Sequence, residues 1–156
     1  MKRLIITIII ACTTLGISAQ TGLAVTDVFE GKIVKNISTA TVTGEPIAKY
    51  GLTKMVTISF TANMAQRDEV EKLVNKDYEN RNMRTEEVDR EVRNGHVYYS
   101  IFRLKDISSF AIPQRYLCYQ CKQKSQEYDM FDITMVYLEG EHLTLERLKK
   151  NFKRTK

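Results

Sequence analysis

No tryptophan occurs among the 156 residues, so the aromatic platforms that stack sugars in carbohydrate-binding proteins would have to come from tyrosine and phenylalanine alone. Histidine is nearly absent as well. His96 and His142 both stand at element ends, beside Gly95 and Glu141, where a solvated side chain is expected rather than a general base. With no Gly-x-Ser-x-Gly present, nucleophilic hydrolysis is poorly served. Gly44, Gly51, Gly95 and Gly140 are isolated turn glycines, and none belongs to a loop that could cradle a phosphate. Pro46 and Pro113 are the only prolines, and both are expected in loops. Repeats, low-complexity tracts and linker-like breaks are also missing, which leaves one domain as the expectation.

The composition is 43% apolar and 28% charged, as in an ordinary globular protein rather than a disordered one. The formal charge is +5 and falls to +3 once Lys2 and Arg3 are assigned to a removable leader. That excess is too small to imply a nucleic-acid partner unless it is concentrated.

That leader is the clearest feature of the chain. Lys2 and Arg3 give a positive start, Leu4 to Ala11 an apolar stretch, and Ile17-Ser18-Ala19 a small-residue exit before Gln20. A bilayer-spanning helix needs about 20 apolar residues. Here the run is diluted by Thr13, Thr14, Gly16 and Ser18. Residues 1–19 are therefore expected to be a secretory signal and 20–156 the folded domain. Ile9-Ile10-Ala11-Cys12 offers an alternative, a lipobox-like motif that would acylate Cys12. Either route leads out of the cytoplasm, to the periplasm or cell envelope.

Val25 to Ile33 reads as a short helix, and Ile37 to Thr43 as a Thr-rich edge strand that ends at Gly44-Glu45-Pro46. Thr53 to Phe60 alternates, with Val56, Ile58 and Phe60 on one face. Asn63 and Gln66 form a capping box for a helix carrying Val70, Leu73, Val74 and Tyr78. Acid-to-base pairs four apart (Asp68/Lys72, Asp77/Arg81, Glu86/Arg90, Asp89/Arg93) extend the helical reading to Asn94-Gly95, with an interruption around Asn80 to Arg84. Val97 to Leu104 is expected to be a central strand, followed by strands at Arg115 to Lys122 and Met130 to Glu139. Phe131, Ile133, Met135 and Tyr137 form the buried face of the last. Thr144 then caps a helix with Leu145, Leu148 and Phe152. The result is an α+β fold in the order ββαβββα, an antiparallel sheet of about five strands with helices packed on one face.

Several segments carry a family resemblance. They are Ser18-Ala19-Gln20, Ala48-Lys49-Tyr50-Gly51-Leu52, Tyr98-Tyr99, Val136-Tyr137-Leu138-Glu139-Gly140, and Thr144-Leu145-Glu146-Arg147-Leu148-Lys149-Lys150. On these the chain resembles a group of small secreted proteins of Bacteroides-type bacteria classed as a domain of unknown function. The resemblance implies an envelope or secreted location and brings no catalytic or binding residue with it.

Cys118-Tyr119-Gln120-Cys121 has the spacing of a redox pair, but it falls in a strand pattern, where residues three apart face opposite sides about 10 Å apart. A disulfide needs Cα atoms within about 7 Å, so two ordinary strand thiols are expected. Zinc would require Cys118, Cys121, His96 and His142 to converge without any supporting second spacing. No cofactor is expected. The many carboxylates mostly read as partners in helical ion pairs rather than as a glycosidase pair. Residues 144–156 concentrate positive charge (Arg147, Lys149, Lys150, Lys153, Arg154 and Lys156 against Glu146), a pattern that suits an anionic membrane surface or, more simply, a helix docked by its apolar stripe. Tyr98, Tyr99, Tyr116 and Tyr119 would suit protein or peptide binding if they lined an open sheet face, and the polar edge Ser38 to Thr43 could accept an added strand. These features point to a non-enzymatic binding module. A thiol-redox enzyme using Cys118 and Cys121, and a membrane-surface protein, are the alternatives.

Overall fold

The computed structural model describes residues 22–82, 87–106, 113–124 and 127–151. The expected leader, Cys12, Phe152 and the cations Lys153, Arg154 and Lys156 lie outside these residues. In chain order the elements are α1 (Thr26–Phe29), β1 (Ser38–Thr43), α2 (Glu45–Ala48), β2 (Leu52–Asn63), α3 (Met64–Glu79), β3 (Val88–Arg93), β4 (His96–Arg103), β5 (Gln114–Lys124), β6 (Glu127–Gly140) and α4 (Leu145–Asn151). The strands form one sheet in the order β1-β2-β6-β5-β4-β3, and every neighbouring pair is antiparallel.

The sheet thus has six strands rather than about five. The sixth is β3, where a continued helix was expected. A spacing of four residues keeps two side chains on one face of a strand as well as a helix, so Asp89/Arg93 does not separate the two. Asn94-Gly95 does. Both residues have positive φ (51° and 80°), and Arg93 pairs with His96 across them, a two-residue hairpin turn rather than a helix end. Helix α3 itself starts as expected. The Asn63 side chain accepts the Gln66 N–H (2.9 Å) while the Gln66 side chain accepts the Asn63 N–H (3.1 Å). Its charge pairing differs: Asp68 is bound by Arg67, and Asp77 accepts the backbone N–H groups of Ala24 and Val25.

Helices cover both faces of the sheet, not one. Val70 and Val74 of α3, with Val25, Val28 and Phe29 around α1, pack on Val56, Ile58, Phe60, Leu117, Ile133, Met135 and Tyr137. On the opposite face Ile47 of α2 and Leu145 and Leu148 of α4 pack with Met55, Ile101, Tyr116, Leu138 and Leu143. Pro46 lies inside the first turn of α2, where its missing N–H has no helical acceptor to lose, whereas Pro113 is in a bend before β5. Strand β4 has neighbours on both sides but is one position in from the β3 edge, with β6 and β5 at the middle of the sheet.

Candidate functional site

The four tyrosines do not form an exposed row. Glu91 pairs with Tyr99 and Val92 with Val97, which leaves Tyr98 as the extra residue of a β-bulge. Tyr98 is half-buried, with the Arg93 guanidinium 3.6 Å from its ring centroid. Tyr99 packs partly into the α2/α4 core. Tyr116 is fully buried in that same core, its hydroxyl donating to Glu87 and, at 3.3 Å, to the Leu143 carbonyl oxygen. Tyr119 is fully buried on the other face, under α3. Burial pushes the phenols of Tyr99, Tyr116 and Tyr119 above their ordinary range. An open aromatic face requires a sheet bare on one side, and this sheet is covered on both.

The cysteines behave as the strand geometry requires. Cys118 packs toward the α2/α4 face and Cys121 lies in the α1/α3 core, and both are free thiols. Burial pushes the Cys118 thiol up to about 12 and raises that of Cys121 as well. Neither is a ready thiolate. With the two sulfurs on opposite faces and His142 exposed in a turn, the Cys₂His₂ combination does not assemble. Helix α4 buries Leu145 and Leu148 against the sheet, and the Thr144 hydroxyl accepts the Arg147 N–H at 3.2 Å. Lys149 pairs with Asp89 at 2.8 Å. The described part of the apolar stripe that a membrane would need, Leu145 and Leu148, is in contact with protein.

A polar cluster that the sequence reading missed lies where α3 crosses the β3–β4 hairpin. Asp68 and Glu71 are three apart on one side of α3. His96, the first residue of β4, meets them there. Its Nδ1 is 3.1 Å from Glu71 Oε2 and 3.9 Å from Asp68 Oδ1. The buried Glu71 also accepts the Val97 N–H through Oε1 at 2.9 Å. Arg67 Nε and Nη2 lie 2.8 and 2.7 Å from Asp68 Oδ1, and Nη2 is 3.4 Å from His96 Nε2. Its guanidinium carbon is 4.4 Å from the centroid of the Phe131 ring. Here an imidazole, two carboxylates and a guanidinium meet at the edge of the α1/α3 core. The signal that could have found this cluster is the Asn94-Gly95 hairpin, which turns His96 from a helix-end residue into the start of a strand under α3.

A half-open cavity of about 360 Å³ is lined by Leu23, Asp77, Asn80, Leu104, Lys105 and Arg115, among others. Asp77 and Arg115 in its lining are already engaged. Asp77 holds two backbone N–H groups, and Arg115 donates to the Lys105 carbonyl at 2.7 Å.

DUF6108, a family of unknown function, matches residues 12–152. The chain belongs to that family. No curated protein and no solved structure matches it. The DUF6108 match spans every strand of the sheet and the helices α1 to α4 among the described residues, so the two covered faces and the two sheet edges lie within the family region.

Those edges differ. Strand β3 carries Asp89, Arg90, Glu91 and Arg93 and faces the bulge at Tyr98. Charges and bulges are the usual guards against unwanted strand pairing. Strand β1, Ser-Thr-Ala-Thr-Val-Thr, has no charge and no proline, pairs in unbroken register with β2, and has no second strand neighbour among the described residues. No described helix is long and apolar enough to cross a membrane.

Proposed function

We propose that the protein is an exported, non-enzymatic binding module that receives an extended segment of a protein or peptide partner along β1. The observation carrying this reading is the contrast between the two edges. One is charged and bulged, and the other is uncharged, mostly exposed and without a bulge or proline. Main-chain hydrogen bonds would supply affinity there, and the exposed Thr39 and Thr41 would read the partner's side chains. The leader at residues 1–19 supports export to the periplasm or envelope. The separation of Cys118 from Cys121 argues against thiol-redox chemistry. The docked stripe of α4 argues against a membrane-surface role.

The test is site-specific photocrosslinking from Thr41 in the native host. One defined adduct is expected, lost when Thr39→Lys and Thr41→Lys are combined, and absent when the crosslinker is moved to Val92 on the β3 edge. Both lysines would project from exposed positions, so the thermal midpoint should hold. An adduct that survives the lysine pair, or none from Thr41 at all, overturns the reading.

A further inference from the structure

We propose that Asp68, Glu71 and His96 form a binding site for a divalent transition-metal ion of the zinc class. The site is remote from β1, so the inference stands apart from the strand-addition reading.

The distances carry it. Zinc binds carboxylate oxygen and imidazole nitrogen at about 2.0–2.2 Å, so in a tetrahedral site neighbouring ligand atoms lie about 3.4 Å apart. His96 Nδ1 is 3.1 Å from Glu71 Oε2 and 3.9 Å from Asp68 Oδ1, and the three ligand atoms all lie within 4.8 Å of one another. Shifts of about 1 Å would close them around one ion, with water completing the shell. The ligands come from two elements whose relative position is fixed. Asp68 and Glu71 share a face of a sixteen-residue helix, and His96 follows a two-residue hairpin. Outside the ligand set, the Val97 N–H holds Glu71 Oε1 and so presents Oε2 to the site, the kind of outer contact that orients metal ligands. One nitrogen with two oxygens favours zinc-like ions over magnesium or calcium, which prefer oxygen alone.

Arg67 is the competitor that the site already contains. Its guanidinium lies on Asp68 Oδ1, nine-tenths buried, and Nη2 approaches His96 Nε2. An ion on His96 Nδ1 leaves the ring proton on Nε2, facing that same guanidinium donor. Metal and guanidinium therefore exclude each other, and binding requires Arg67 to swing away. Removing the guanidinium should strengthen metal binding, an effect opposite in sign to that of removing a ligand.

The experiment titrates the purified protein with Co²⁺ alone, read by visible absorbance, and then displaces it with Zn²⁺. One equivalent is expected to bind. His96→Ala and Glu71→Gln should each weaken it by at least about tenfold. Arg67→Met should tighten it, while His142→Ala and the double Cys118→Ser/Cys121→Ser protein should match the parent. His96 is half-exposed, so His96→Ala tests the site even if Glu71→Gln does not fold. Three results would overturn the proposal: no saturable binding at millimolar metal, equal affinity in His96→Ala, or no gain in Arg67→Met.

Discussion

Replacing Asp77 with asparagine tests how the chain preceding the sheet is held. Asp77 lies on the last turn of α3, only 5% exposed, and its two carboxylate oxygens accept the N–H groups of Ala24 at 2.8 Å and Val25 at 3.0 Å. Asparagine keeps the shape but offers one acceptor and turns an NH₂ toward the second donor. A buried N–H left unpaired costs about 1–3 kcal/mol, and the surviving bond loses its charge assistance. Relief from burying a charge acts the other way, since desolvation is the main reason the Asp77 carboxyl titrates above its ordinary 3.8. The net loss expected at pH 7 is about 1–2 kcal/mol, or a fall in the urea midpoint on the order of 1 M. The pH dependence has a definite sign. The folded state holds the Asp77 proton more tightly than the unfolded state, so this group's contribution to stability grows as pH falls through the folded-state value toward 3.8. Asparagine does not titrate, so the deficit of the variant should be constant near neutrality and widen in acid. Paired urea curves at pH 7 and in mild acid measure it. An unchanged midpoint at pH 7 refutes the clamp, and a deficit that narrows in acid refutes the raised titration of the buried carboxyl.

Gly140→Ala should be among the most damaging single-methyl additions, because a Cβ at that position would overlap the Gly51 carbonyl where β2 and β6 begin their pairing. A loss of at least about 2 kcal/mol is expected by urea unfolding, and a near-native midpoint would contradict the close approach. Cys118 and Cys121 should react slowly with a thiol reagent in the native protein at pH 8 and at once in denaturant, since burial raises both thiols, Cys118 to about 12. Fast native labelling would refute their enclosure.

Much of the fold was legible because it is local. The capping box at Asn63 and Gln66, the alternation through Val56, Ile58 and Phe60, and the Thr-rich edge at Ser38–Thr43 each depend on neighbours within a few residues. Strand β3 was misread because spacing by four satisfies both helix and strand, and only the Asn94-Gly95 turn separates them. The exposure of the tyrosines was not legible for a different reason. Alternation assigns each side chain to a face, but only the helices packed on the sheet decide whether that face is open.

The amino-acid order alone determined the antiparallel α+β class and the opposed directions of Cys118 and Cys121, since each follows from local pattern and a period of two. Tertiary structure decided what covers each face, which edge stays unguarded, and that His96 meets Asp68 and Glu71. These depend on side chains 25 to 28 positions apart, and their meeting is fixed by how α3 lies across the sheet.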